Sequence, residues 1–307
     1  MSEKFCKFAA QKKAKNMNTR RHIRTLYEKD RMRGISCAFS RRTFTDVLKY
    51  SDYSYLDSIV DTYDFNKRCT TYYDVLGVLY RNMLRSYQNE YVYKNELISR
   101  WLLEEYGTKN TVYFSEFRVG NSIADLVMFN GESKAFEIKS EIDSPKRLAQ
   151  QMTDYSLFFD KCYIVIPKRK VSEYEETIDS KVGMLTFEKK GRTIDIKEYR
   201  PAERNTRLDA HYVMDVLRTK EYLNIIARYY GKLPAVPMAQ MYDECDRLME
   251  EIPEDILRKE VLTEIKRRRR NAFQIRKCSP MLRQMFLSLN LSQREAEALQ
   301  EKFKQPI

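Results

Sequence analysis

The chain has 307 residues, 43% of them hydrophobic, which is ample for a sizeable core and, by length, for two or so domains. No stretch is long and apolar enough to span a membrane, the N-terminus lacks the apolar core of a secretory signal, and six scattered cysteines without a CxxC predict reduced thiols in a cytoplasmic protein. Two histidines far apart in sequence, His22 and His211, argue against a His/Cys zinc site, so any metal would rest on carboxylates and be a hard ion such as Mg²⁺ or Mn²⁺. The formal net charge is +12 and unevenly spread. Residues 1–49 carry a net +10 and residues 258–283 a net +8, around a middle of net −6. Two basic blocks point to a polyanion, most often nucleic acid; the plainer alternative is a solubilising or partner-binding surface.

Residues 1–85 form a basic, Tyr-rich region with helical spacing in "RRTFTDVLKY" and "YYDVLGVLYRNML". A stronger helix runs from Asn89 through "NEYVYKNELISRWLLEEYG", with Gly107 as its stop. The period then changes: "TVYFSEFRV" and "SIADLVMF" alternate as strands, Asn130-Gly131 is a tight-turn dipeptide, and "AFEIKSEI" is a third strand. Pro145 suits the first turn of a helix through "KRLAQQMTDYSLFF"; "CYIVIP" is a buried strand, and "VGMLTFEKKGRTIDIKEY" (182–199) forms a hairpin around Lys190-Gly191. Beyond about residue 205 the chain is helical again, and Ser292 with Glu295 forms a capping box for the last helix. The order predicts an α/β fold, a mixed sheet covered by helices over residues 86–200, followed by a helical region at 201–307.

Three charged residues break the apolar pattern of the strands. Asp125 falls on the strand face of Ile123 and Val127; Glu137 and Lys139 share one face of the next strand. A hairpin through Asn130-Gly131 would bring all three to one patch. Two carboxylates there can hold a divalent cation, and a lysine beside them can orient an attacking water and stabilise developing negative charge. An exposed ion pair is the commoner explanation of Glu-x-Lys taken alone.

The segment "IADLVMFNGESKAFEIKSE" resembles the PD-(D/E)xK nuclease signature: Asp125 at the first acid position, then Glu137 and Lys139, with Ala124 where proline is frequent. "QQMTDY" matches the Gln-x-x-x-Tyr motif of the RecB-like branch, with Gln151 and Tyr155 at i and i+4 on one helix face. More closely, residues 86–190 are similar to the sce7726 family, bacterial and phage proteins thought to be nucleases of this type. The resemblance implies a restriction-endonuclease-like core with helical N- and C-terminal extensions, and a Mg²⁺- or Mn²⁺-dependent phosphodiesterase acting on nucleic acid, DNA before RNA. A role in phage or mobile-element defence follows from the same likeness.

It also implies roles. Asp125, Glu137 and the carbonyl of Ile138 would hold metal, Lys139 would act on water and Gln151 would support it. A glutamate from the first core helix is Glu90, which shares the stripe of Lys94, Leu97 and Trp101, with Glu96 as the alternative. Nucleic-acid contact falls to Arg147 and to Tyr155, which could instead brace its helix; outside the matched span, and on charge alone, the run Lys266, Arg267, Arg268, Arg269 and Arg270 could grip phosphates or equally be a solvated helix face or a partner-binding surface. Two rival readings stand beside this one: a nuclease fold kept for binding without cleavage, and an assembly factor whose basic blocks meet an acidic protein. Metal-dependent cleavage separates the first rival, and binding to nucleic acid at low salt the second.

Overall fold

The computed structural model describes residues 32–86, 89–141, 143–191, 193–268 and 272–307. The chain divides into two compact units, one from the segment ending at Tyr87 together with Ala298–Ile307, the other Gln88–Glu297. None of the helices among the described residues is long and apolar enough to cross a membrane.

The first unit is helical: α1 (Arg41–Tyr50), α2 (Ser54–Tyr63) and α3 (Tyr72–Ser86). Ser40 starts α1, its hydroxyl accepting from the Thr43 N–H at 3.2 Å. Phe44 and Val47 recur at helical spacing on the buried side, with Leu56, Leu76 and Leu79 from the neighbouring helices. Phe44 meets Phe303 edge-on at 5.0 Å, and Tyr53 stacks on Tyr72 at 4.4 Å, so the end of the chain packs into this unit. The basic N-terminal block lies for the most part outside the described residues.

The second unit is built on a six-stranded sheet with strands in sequence order: β1 (Val112–Val119), β2 (Ser122–Phe129), β3 (Ser133–Ile138), β4 (Lys161–Pro167), β5 (Gly183–Lys190) and β6 (Thr193–Arg200). The β1–β2, β2–β3 and β5–β6 pairs are antiparallel, while β3–β4 and β4–β5 are parallel. The sheet is therefore mixed, its pairing changing from antiparallel to parallel at β3 and back at β5. Asn130 makes the β2–β3 turn: its side-chain oxygen accepts from the N–H groups of Gly131 and Glu132 at 2.6 and 3.1 Å. At the β1–β2 turn Gly120 has φ +54°, and a Cβ there would lie 2.6 Å from the Tyr212 ring. Only glycine permits both the backbone and that approach.

Helices cover both faces of the sheet. On one face Ala135, Ile164, Ile166 and Met184 share a core with Leu148, Met152 and Tyr155 of α5 (Leu148–Ser156). The same core takes in residues from α6 (Ala210–Val216), α7 (Thr219–Tyr230), α8 (Met241–Glu250) and α9 (Glu254–Arg268), among them Val213, Ile225, Met249 and Val261. The helices after residue 200 thus belong, as far as Glu297, to the unit that holds the sheet. A buried pair reinforces this: Arg258 of α9 donates to Asp160 at 3.1 Å, and Asp160 also accepts from the Ser133 N–H that opens β3. On the other face Phe136 stacks on Tyr163, and Tyr93 of α4 (Glu90–Leu97) stacks on Phe187 at 4.4 Å. A π-helical turn, Ile98–Leu102, continues α4.

Candidate active site

The site lies where β2 and β3 part. Their pairing runs from Phe129↔Ser133 to Leu126↔Phe136. One residue further, the Ile138 N–H donates to the Asp125 carboxylate (Oδ2) at 2.7 Å, and Lys139 turns its N–H to the Val165 carbonyl of β4 at 2.9 Å. The apolar alternation slips at this point in both β1 and β2. In β1 the shared core takes Val112, then Phe117 and Val119; in β2 it takes Ala124, then Val127 and Phe129. Between them Glu116 has φ +56°, a left-handed backbone rare for a residue with a Cβ. The sequence placed Asp125 on one face with Ile123 and Val127. In the structure Val127 belongs to the core on the α5 side whereas Asp125 meets Lys94 of α4, so these two do not share a face.

Asp125 is reached from the α4 side of the sheet. Its Oδ1 lies 2.8 Å from the Lys94 ammonium, which lies 2.5 Å from Glu90 one helical turn away. The Lys94 side chain is only 5% exposed and the Glu90 side chain 65%. Burial opposes the Lys94 charge, but Asp125 and Glu90 outweigh it and hold its pKa above the ordinary lysine value.

Glu137 is reached from the opposite layer. Its Oε1 accepts from Lys139 and from the Gln151 amide, both at 2.7 Å, and its Oε2 accepts from the Tyr155 hydroxyl at 2.9 Å. Lys139 also donates to the Gln151 carbonyl oxygen at 3.0 Å, closing a triangle. Burial pushes both carboxyls, Asp125 and Glu137, above the usual carboxylate range, and the charge of Asp125 raises Glu137 further. The two acids therefore sense each other although different helical layers hold them.

Gln151 and Tyr155 lie on one side of α5 and Asp154 on another. Asp154 is fully buried and accepts from Ser122 at 2.5 Å, Gln150 at 3.0 Å and the Tyr212 hydroxyl of α6 at 3.1 Å. These bonds fix how α5 is rotated about its axis, and so where Gln151 and Tyr155 point.

Asp125, Glu137, Ile138, Lys139, Gln151 and Tyr155 thus come together, and Glu90 joins them through Lys94. Glu96 is buried elsewhere, paired with Arg100 at 2.5 Å. Tyr155 is fully buried, so of its two expected roles the geometry supplies bracing: its hydroxyl holds Glu137 rather than meeting a base. Arg147 is exposed at the start of α5. Lys266 donates to the Asn130 carbonyl at 3.0 Å, at the opposite end of the β2–β3 hairpin from Asp125. Arg268 is mostly covered, against Glu221 and the Val216 carbonyl, and Arg267, 59% exposed, pairs with Glu264. Arg269 and Arg270 lie outside the described residues. Lys94 was missed as a site residue; a lysine on the stripe meant to pack on the sheet is the signal that could have found it.

Tyr155→Phe removes the hydroxyl that donates to Oε2 of the buried Glu137. Hydrogen bonds to charged groups contribute ~1.5–3 kcal/mol, and a stability loss of that size is expected in urea unfolding at pH 7. A loss below about 0.5 kcal/mol would show that Glu137 finds another donor.

The donor chemistry fits a hard cation only in part. Among the described residues no three His, Cys, Asp or Glu side chains converge closely enough to hold a metal ion. The acid pair suits an ion such as Mg²⁺, which takes one or two carboxylates and keeps several waters. Each of the four carboxylate oxygens already has a donor.

An α/β unit with a mixed sheet and a polar cluster at the parting of two strands is the class of protein that fold and site define. A family model described as bacteriophage P4 protein cII matches residues 83–287, which span the whole site and most of the C-terminal helices. The chain belongs to that family. Protein cII of enterobacteria phage P4 is 29% identical over 131 residues, 42% of this chain and 50% of that protein, so the chain spans about half the length of this curated relative. A solved structure of a protein of unknown function from Silicibacter pomeroyi aligns with a TM-score of 0.29 and 14% identity over 45% of this chain and 93% of that one, a likeness too weak to bear on the fold.

Proposed function

We propose that the unit Gln88–Glu297 is a nuclease of the PD-(D/E)xK kind, hydrolysing phosphodiester bonds of nucleic acid, DNA before RNA, with a Mg²⁺ or Mn²⁺ ion. One observation carries this reading: Asp125, Glu137, Lys139 and Gln151, four residues of the motif on three elements, meet at the parting of β2 and β3. Asp125, Glu137 and the Ile138 carbonyl would hold the ion. When bound, it would supply Lewis acidity at a phosphoryl oxygen and a water of lowered pKa. Glu137 and Gln151 fix the Lys139 ammonium at 2.7 and 3.0 Å. From there it can orient the attacking water and steady charge on a phosphate oxygen without reorganising. Gln151 sets the angle of that amine, and Tyr155 keeps Glu137 from rotating away.

A second reading, a binding module of the same fold without cleavage, draws support from Lys94, whose ammonium sits on Asp125 at 2.8 Å. The two separate on a panel of single- and double-stranded DNA and RNA, assayed with Mg²⁺ or Mn²⁺ and again with chelator. Cleavage that the chelator abolishes is the expected result. Salt-sensitive binding with no cleavage under any condition would leave the binding module.

A further inference from the structure

We propose that Lys94 is a resident competitor for the cation site, so that a divalent ion engages Asp125 only as the Lys94 ammonium moves off it onto Glu90 alone. The inference rests on the metal-dependent reading above. It starts from position: the ammonium lies 2.8 Å from Asp125 and 2.5 Å from Glu90, and its side chain is 5% exposed. A buried ammonium between two carboxylates stands where a cation bound to Asp125 would have to come.

The pair of acids is unequal, and the inequality gives the movement its direction. Asp125 is anchored by the Ile138 N–H at 2.7 Å and its side chain is 18% exposed; Glu90 sits on an open helix face at 65%. Glu90 can therefore turn toward solvent and draw the amine with it, while Asp125 stays. The charge count agrees: with Lys94 in place, Glu90, Asp125 and Glu137 face two ammonium groups, and without it only Lys139. Lys94 thus offsets the repulsion between Asp125 and Glu137 at the cost of weaker ion binding.

The test is Mn²⁺ binding to the full chain, followed by the electron paramagnetic resonance of free Mn²⁺. Lys94→Gln removes the charge but keeps a donor for Asp125. Two unit charges within a few ångströms in a partly buried site interact strongly, and the variant is expected to bind Mn²⁺ about tenfold tighter or more. Amine labelling read by mass spectrometry provides a second measurement on the unaltered chain: Lys94 starts protected and should label faster at saturating Mn²⁺. Unchanged or weaker affinity in a folded Lys94→Gln, or Lys94 labelling indifferent to Mn²⁺, overturns the proposal, as does a chain that binds no Mn²⁺ with or without the substitution. Metal-dependent cleavage with unaltered affinity in the variant would remove this inference and leave the nuclease. Tighter binding in a chain that cuts nothing would do the reverse.

Discussion

Glu137→Gln and Lys139→Met should each slow cleavage by roughly 10²–10⁴-fold in single-turnover assays, the range that a positioned proton-transfer group or a preorganised electrostatic contact supplies. Both substitutions are close in size to the native side chain, so folding should survive them. Glu137 is the hub: three donors, Lys139 just past β3 and Gln151 and Tyr155 of α5, converge on its two oxygens. As Gln it keeps an acceptor but loses its charge, and with it half of the acid pair. Met in place of Lys139 leaves Gln151 and Tyr155 on Glu137 and removes only the amine. Thermal unfolding by circular dichroism controls for collapse. If folded Lys139→Met cuts within about threefold of the unaltered chain, Lys139 has no part in the chemistry, since even a single positioned group is worth more than that.

Arg268→Ala should give the largest loss of stability in the basic run, roughly 3 kcal/mol by urea unfolding at pH 7, the cost of breaking a buried pair from one side. Arg268 donates to both oxygens of Glu221, at 2.7 and 2.6 Å, and to the Val216 carbonyl at 2.8 Å, and both side chains are about 10% exposed. Burial alone would raise the Glu221 carboxyl; Arg268 and the Arg218 N–H overcome this and hold it below the ordinary glutamate value of 4.5. A depressed carboxylate stabilises the fold above its unfolded pKa, and that stability fades as pH falls through the folded value. The gap between the native chain and Arg268→Ala should therefore narrow below about pH 4.5. Arg267→Ala should cost less than about 1 kcal/mol, because the arginine is 59% exposed and the buried Glu264 keeps Arg228 at 2.6 Å. Equal losses at the two positions would mean that the Glu221 pair contributes nothing beyond a surface contact.

The contrast between these neighbouring arginines marks a limit of the sequence. Strands β1 and β2 were legible almost residue for residue, because alternation with period two and the Asn130-Gly131 turn are local signals. So was the meeting of Asp125 with Glu137 and Lys139, which follows from a hairpin register. The slip at Glu116 and Asp125 was not, since an unforced non-glycine residue in the left-handed region leaves no mark in composition. A run of basic residues on α9 says that a helix is charged; it does not say that one of them turns inward to an acid 47 positions earlier. Lys94 was hidden for a related reason. Helical spacing put it on the sheet-facing stripe, but only the third dimension brings Asp125 of another element to it.

The bonds around Asp154 bear on how this protein can be divided. Residues 86–200 contain all six strands of the sheet and every acid of the candidate site, and look on paper like a self-sufficient module. Yet the rotation of α5, which aims Gln151 and Tyr155, is fixed in part by the Tyr212 hydroxyl, and Arg258 ties down Asp160 where β3 begins. A fragment cut at residue 200 would keep the reagents and lose the jig that holds them. The span matched by the family model, 83–287, includes both of those residues, and a fragment meant to keep the cluster aligned needs them.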